Sequence, residues 1–376
     1  MDLGLSLRLG TALTGSFSPT SLFSAGEQGA WYDPSDLTTL FQDSAGTTPV
    51  TTPGQSVGRM LDKSGRGNHA TQSNAAQRPT YGIVPATGRR NLLINTTTLS
   101  TQSVTVAAGS HTLSFTGTGT VTLTGAAIGA LVGIGVSDRV SLTFTATAGS
   151  LTLTVAGSVT LAQLETGSTA TAYQRVGTAF DVTEAGVASR SYVSFDGTDD
   201  GMLTGNIVPG IDKAQVFAGV RKLSDGNNII VETSANSGAN AGSFGLLSSN
   251  YGGAGAAYAS NLNGSQRTSF DATTYTAPTT NTLTSLFDIA GANRVDEITF
   301  RVNGATPTLT GGGNGNAGTG NFLAYPLYIG RRGGASMPFN GQIFGLIVRF
   351  GTNLPAATIS QTETWLGARV APTVVI

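Results

Sequence analysis

The chain is 376 residues long, enough for two or three domains with separate cores, and only 11% of those residues are charged. A net charge of −1 excludes a general attraction to nucleic acid or anionic lipid, and the absence of cysteine excludes disulfides and thiolate metal sites. With 52 glycines and abundant serine and threonine, the composition points to short strands joined by tight turns.

Residues 1–24 begin with Leu3, Leu5, Leu7 and Leu9 in loose alternation and end in a polar, turn-forming stretch. They predict an N-terminal arm, either an edge strand or frayed end, or a segment docking on a larger assembly by strand addition. Asp2, the missing basic region and the lack of a continuous apolar core argue against a secretory signal. No run reaches the length of a membrane helix, so no membrane insertion is expected.

Ala30-Trp31-Tyr32-Asp33-Pro34-Ser35-Asp36 opens a recognisable module, followed by Asp62-Lys63-Ser64-Gly65-Arg66-Gly67-Asn68-His69-Ala70-Thr71-Gln72 and Arg78-Pro79-Thr80. At these residues the sequence resembles the concanavalin-like, laminin-G-like sandwich module of phage virion proteins. In that family a further element follows closely; its counterpart here, Val193-Ser194-Phe195-Asp196-Gly197-Thr198-Asp199-Asp200, arrives more than about one hundred residues later. Tyr328 to Arg331, then Phe339 to Val348, again resemble the family.

The delay predicts a guest domain at 91–176 within a discontinuous sandwich formed by 25–90 and 177–376. Asp138, Arg139 and Glu165 are the only charged residues across 91–172. Alternating pairs such as Leu113/Phe115, Val121/Leu123 and Leu151/Leu153 recur between glycine and serine turns, which predicts a small β-sandwich or jelly roll. Its last stretch, 161–175, resembles the end of carbohydrate-binding-like modules in phage tail and fibre proteins. Insertion at an exposed loop is tolerated where domain termini lie close together.

Beyond Tyr192, strands are predicted near 193–195, 215–221, 229–232, 244–247, 283–289 and 297–302. Leu323, Tyr325, Leu327 and Ile329 alternate, as do Phe344, Leu346, Val348 and Phe350, which predicts an antiparallel pair whose apolar face needs a covering sheet. Residues 356–369 predict a short helix lying on the sandwich. The predicted fold class is all-β: a concanavalin-like (laminin-G-like) sandwich with an inserted jelly roll and a short C-terminal helix.

Asn250, Tyr251, Tyr258, Asn261, Asn263 and Tyr275 combine aromatic faces with amides, the chemistry that sugar C–H faces and hydroxyls require. A competing reading places Tyr258 in the core and the asparagines at strand ends. Asp196, Asp199 and Asp200, with Asp33, Asp36 and Asp62 as possible neighbours, form an oxygen-rich cluster. The wider superfamily implies a calcium site there; the plainer reading is a turn whose carboxylates accept backbone hydrogen bonds. His69 and His111 fall in different predicted domains, which argues against a two-histidine metal site, and His69 is expected to serve as a structural hydrogen-bonding group. The glycines and asparagines of 311–316 predict a turn rather than a phosphate cradle. Asp296 and Glu297 are adjacent and would point to opposite faces of a strand, so no acidic pair on one face marks a glycosidase groove.

The resemblance implies a non-enzymatic phage virion structural protein, tail- or capsid-associated, assembled in the host cytoplasm and released by lysis. Its expected partners are other virion proteins and host cell-surface glycans, bound in receptor recognition or adhesion. A homo-oligomer is expected, a trimer being one arrangement. No cofactor is expected beyond the calcium alternative. A polysaccharide hydrolase or lyase, and a purely structural decoration or scaffold protein, are the alternatives.

Overall fold

The structure is a computed structural model describing residues 17–249, 255–262, 265–269, 275–310, 318–333 and 336–371. It is an all-β protein with a short C-terminal helix. Among the described residues, two large sheets carry most of the chain. One runs in the order Ile298–Val302, Thr279–Asp288, Lys213–Lys222, Asn340–Phe350, Ser189–Asp196, Thr80–Pro85. Gln28–Tyr32 joins it along the C-terminal half of Asn340–Phe350, beyond the part paired with Ser189–Asp196. Strands from both sides of residues 91–176 thus share one set of backbone hydrogen bonds.

Alternation assigns the faces. In Lys213–Lys222, Ala214, Val216, Ala218 and Val220 enter the main core, while Phe217 belongs to a cluster on the opposite face. The second sheet covers that core and includes Leu40–Phe41, Arg59–Met60, Ala70–Thr71, Met202–Leu203, Leu327–Ile329, Ile229–Thr233, Phe244–Leu247 and Ala259–Leu262, in that spatial order. Its inward residues, among them Met60, Met202, Leu327, Ile329, Val231, Phe244 and Leu246, meet Val348, Phe350 and Phe287 of the first.

One expectation fails here. The two apolar runs within 323–350 are not partners: Leu327–Ile329 lies in the second sheet and Asn340–Phe350 in the first. Each buries its apolar side against the other sheet, so the two runs face one another across the core. Leu323 is exposed, and the first run pairs continuously only from Leu327. Asp296 and Glu297 lie in the short helix Arg294–Glu297, not on a strand.

Residues 102–166 form two smaller sheets. Gly109–Gly117 lies between Gly135–Ala146 and Val159–Thr166; Gln102–Val106, Gly149–Ala156, Thr120–Gly125 and Gly129–Val132 make the other. They enclose their own apolar cluster, with Leu113, Phe115, Val121, Leu123, Leu151, Leu153 and Leu164 fully buried. His111 stacks on Phe144. At the joint, Arg90 reaches both oxygens of Glu184 at 2.7 Å.

The helix Ala356–Gly367 lies on the far side of the first sheet, where Leu366 packs with Trp31, Phe217 and Ile347. Gly219 and Gly345 keep that face flat enough: a Cβ on either would press into Leu366. Arg301 and Thr284 hold Glu363 of the helix at 2.8 and 2.9 Å. Leu22 and Phe23, from the short helical turn Pro19–Phe23, pack into the same cluster. Residues 1–16 of the predicted arm lie outside the described residues.

Candidate functional site

The motif residues 62–72 build a scaffold before they build a site. Asp62 accepts from the backbone N–H of Trp31, Ser64 and Asn68 at 2.9, 2.8 and 3.0 Å, and its own N–H donates to His69 Nδ1 at 3.0 Å. His69 therefore has the structural role its sequence setting suggests. Asp33 and Asp36 pair with Lys63 at 3.7 and 2.7 Å. Among the described residues these three carboxylates do not join Asp196, Asp199 and Asp200.

The last residues of the motif feed the second sheet, and strand register carries their side chains into a row. Arg59 pairs with Thr71, Thr71 with Leu203, Leu203 with Tyr328, Tyr328 with Glu232, Glu232 with Gly245, and Gly245 with Asn261. Flanking residues of these strands fill the core, so the row faces away from it.

Half of that row is covered. Ser237, from the loop 234–243, lies over Gly245 and Asn261, and a Cβ on Gly245 would collide with Asn261 Oδ1 and Ser237 Oγ. Beneath the loop Glu232 is wholly buried. Ser237 Oγ donates to it at 2.7 Å, and Arg332 pairs with it at 3.2 Å.

The other half is open. Thr71, Gln72, Ser73, Leu203, Tyr328, Arg331 and Arg332 surround a cavity of about 170 Å³ whose remaining wall is Gly201 and Met202. Leu203 is 39% exposed and offers an apolar floor beside the Tyr328 ring. Gln72 braces the wall, donating to Gly201 O at 2.6 Å. Arg331 is held over Gly201 by Asp199 O at 2.6 Å and Gln77 Oε1 at 3.1 Å. Among the described residues this lining contains no carboxylate. Apolar faces ringed by hydroxyls and guanidinium donors suit the C–H face and hydroxyls of a sugar ring.

The predicted aromatic and amide group falls elsewhere. Tyr258 is fully buried, donating to Asn281 Oδ1 at 3.0 Å, with Tyr275 beside it at 5.5 Å between ring centroids. Asn261 belongs to the outward row but is sealed under Ser237, to whose Oγ its Nδ2 donates at 3.2 Å. These three side chains are interior and offer no face to a ligand from solvent. Asn250, Tyr251 and Asn263 lie outside the described residues, as does 311–316.

Asp196, Asp199 and Asp200 do come together, with one oxygen from each within 4.8 Å of the others. Asp196 Oδ1 accepts from the N–H groups of Thr198, Asp199 and Asp200, at 2.8, 3.3 and 3.4 Å. Asp200 Oδ2 accepts from Asp196 N at 3.1 Å. Burial, followed by the charge of Asp196, pushes the Asp200 carboxyl up to about 6. These carboxylates shape the turn.

No protein-family model matches the chain, and no curated protein matches it in sequence. Solved structures similar to it include a heptameric SAP-like pentraxin from Limulus polyphemus, at 15% identity over 42% of this chain and 74% of that one, with a TM-score of 0.32. Another is the carbohydrate-binding module (CBM40) of a Ruminococcus gnavus IT-sialidase, bound to α2,3-sialyllactose, at 14% identity over 40% and 82%, with a TM-score of 0.29. A third is the ligand-binding domain of botulinum neurotoxin serotype D in complex with N-acetylneuraminic acid, at 12% identity over 46% and 42%, with a TM-score of 0.32. The matched region spans under half of this chain and under half of the toxin domain.

Proposed function

We propose that the protein is a non-enzymatic carbohydrate-binding component of a phage virion, tail- or capsid-associated, which holds host-surface glycans in the cavity beside Leu203 and Tyr328. The observation that carries the binding reading is the open half of the outward row: an apolar and aromatic floor, rimmed by Thr71, Ser73, Arg331 and Arg332. Glycoside hydrolysis needs two carboxyl groups flanking the bond, and none lines this cavity among the described residues. The virion assignment, with its release by lysis, has its support in the sequence motifs at 31–36, 62–72 and 193–200.

Single lectin-like sites bind weakly, so copies presented together raise avidity. A homo-oligomer fits the exposed apolar stretch 128–136, where Ile128, Val132, Ile134 and Val136 are 89%, 58%, 73% and 74% exposed. The binding reading is tested by passing the protein over immobilised host-envelope polysaccharide and glycan panels. It expects retention that disappears in Tyr328→Ala, with chain lengths of the polysaccharide unchanged. Shortened chains would make the protein an enzyme, and indifference to Tyr328→Ala would remove the site.

A further inference from the structure

A second cavity, of about 320 Å³, lies on the opposite side of the molecule from the Tyr328 row, on the outer face of the first sheet. Register explains its floor: Ser194 pairs with Gln342, and Gln342 with Arg221, so three polar side chains lie abreast on neighbouring strands. The helix Ala356–Gly367 covers this face farther along, over Gly219 and Gly345, and leaves this end bare. Ala179, Phe180 and Val182 wall it from one side, and Arg89 leans in from the loop that leads toward residues 91–176. The cavity therefore lies on the large sandwich, beside the segments that lead into and out of residues 91–176.

Its electrostatics are unbalanced. Arg89 is fixed by its own loop, donating to the carbonyls of Asn91, Leu92 and Leu93 at 2.9, 3.3 and 3.2 Å. Arg221 Nε is buried without a hydrogen-bond partner, and so is Gln342 Oε1 directly across the strand pair. Neither arginine forms an ion pair with a carboxylate among the described residues. Burial pulls both guanidinium groups below the usual arginine range, and Arg221 lowers Arg89 further by its like charge. Asp196 reaches the rim, but it is exposed and its Oδ1 already serves three backbone N–H groups. A cavity that holds two desolvated cations and a lone acceptor is incomplete in charge and in hydrogen bonding.

We infer that this cavity binds an acidic monosaccharide unit, a sugar whose carboxylate lies between Arg89 and Arg221 and whose hydroxyl donates to Gln342 Oε1. The planar guanidinium fork matches a carboxylate in two-point geometry. The orphan amide oxygen requires a donor, which a sugar hydroxyl supplies on the same ring as the carboxylate. Phe180 and Leu223, the latter 39% exposed, give apolar surface for the ring's C–H face. The inference goes beyond the proposed glycan site, since it uses different residues on the other large sheet.

Isothermal titration of the full chain with D-glucuronate tests it, with D-glucose and inorganic phosphate titrated in parallel. Saturable glucuronate binding is expected, with glucose and phosphate each at least about tenfold weaker. Arg221→Met should weaken glucuronate by about tenfold or more while leaving glycan retention at the Tyr328 site unchanged. Gln342→Leu, which removes the orphan acceptor without touching a cation, should weaken it several-fold and serves if the arginine variant fails to fold. Absence of saturable glucuronate binding overturns the inference, as does equal binding of phosphate or unchanged affinity in the variants. Loss of Tyr328-dependent retention with glucuronate binding intact would sink the proposed function alone.

Discussion

Arg332 lies 3.2 Å from Glu232, and Glu232 is wholly buried on the face of the second sheet that points away from the core. An ion pair in that position is unusual, because a strand side chain opposite the core ordinarily meets water. Here the loop 234–243 closes over it, and Ser237 supplies the remaining hydrogen bonds. The pair marks where the covered half of the outward row ends and the open half begins.

Glu232→Ala removes a buried carboxylate that Ser237 and Arg332 both bond, so it should cost on the order of 1–3 kcal/mol in denaturant-induced unfolding. A loss under about 0.5 kcal/mol would mean that water reaches Glu232 and that the loop does not seal the row.

Asp200 gives a pH signature. Its carboxyl titrates at about 6 in the fold against 3.8 unfolded, so the folded state holds the proton more tightly. Stability contributed by Asp200 is therefore full below about pH 4 and is lost as pH rises through about 6. Asp200→Asn should be more stable than the parent at pH 7.5, by on the order of 2 kcal/mol, with the difference vanishing near pH 4. Equal stability at both pH values would contradict the burial. Millimolar calcium should leave the parent's melting temperature unchanged if these carboxylates serve only the turn; a rise of several degrees would show a metal site.

Glu184 runs the other way. Its hydrogen bonds to Arg90 take the lead in holding its carboxyl down to about 2, against 4.5 unfolded. The stability it contributes is present above about pH 4.5 and is lost as pH falls toward 2. Glu184→Gln should therefore lose on the order of 2 kcal/mol at neutral pH and show a flatter acid limb between about pH 5 and 2. An acid limb identical to the parent's would mean that the Arg90 contact is loose in solution.

The exposed aliphatics at 128–136 make a prediction about assembly. If copies meet there, Ile128→Ser combined with Ile134→Ser should lower the mass measured by light scattering while leaving the melting temperature within a few degrees. An unchanged mass would place the contact elsewhere.

Alternation made the strands legible in the sequence. Predicted strands near 229–232 and 244–247 correspond to Ile229–Thr233 and Phe244–Leu247, and the predicted helix to Ala356–Gly367. A period of two says which side of a strand is buried but not which sheet holds it, so the runs within 323–350 looked like partners. The aromatic and amide group misled for a related reason. Tyr258 and Asn261 sit among glycines and serines that resemble a loop, yet the chain there enters the strand Ala259–Leu262, and Asn261 is covered by Ser237 of a loop that starts at 234. Tyr328 was within reach, because a residue between Leu327 and Ile329 must face away from the core. Its neighbour Leu203 was not, since their pairing joins residues 125 positions apart (328 − 203).

The most direct measurement is a structure of the protein with the tightest-retained glycan from the panel. The account predicts a sugar ring against Tyr328 and Leu203, with hydroxyls reaching Thr71, Ser73 or the guanidinium groups of Arg331 and Arg332. A glycan seated instead on the loops around residues 250–275, with the Tyr328 cavity empty, would contradict it.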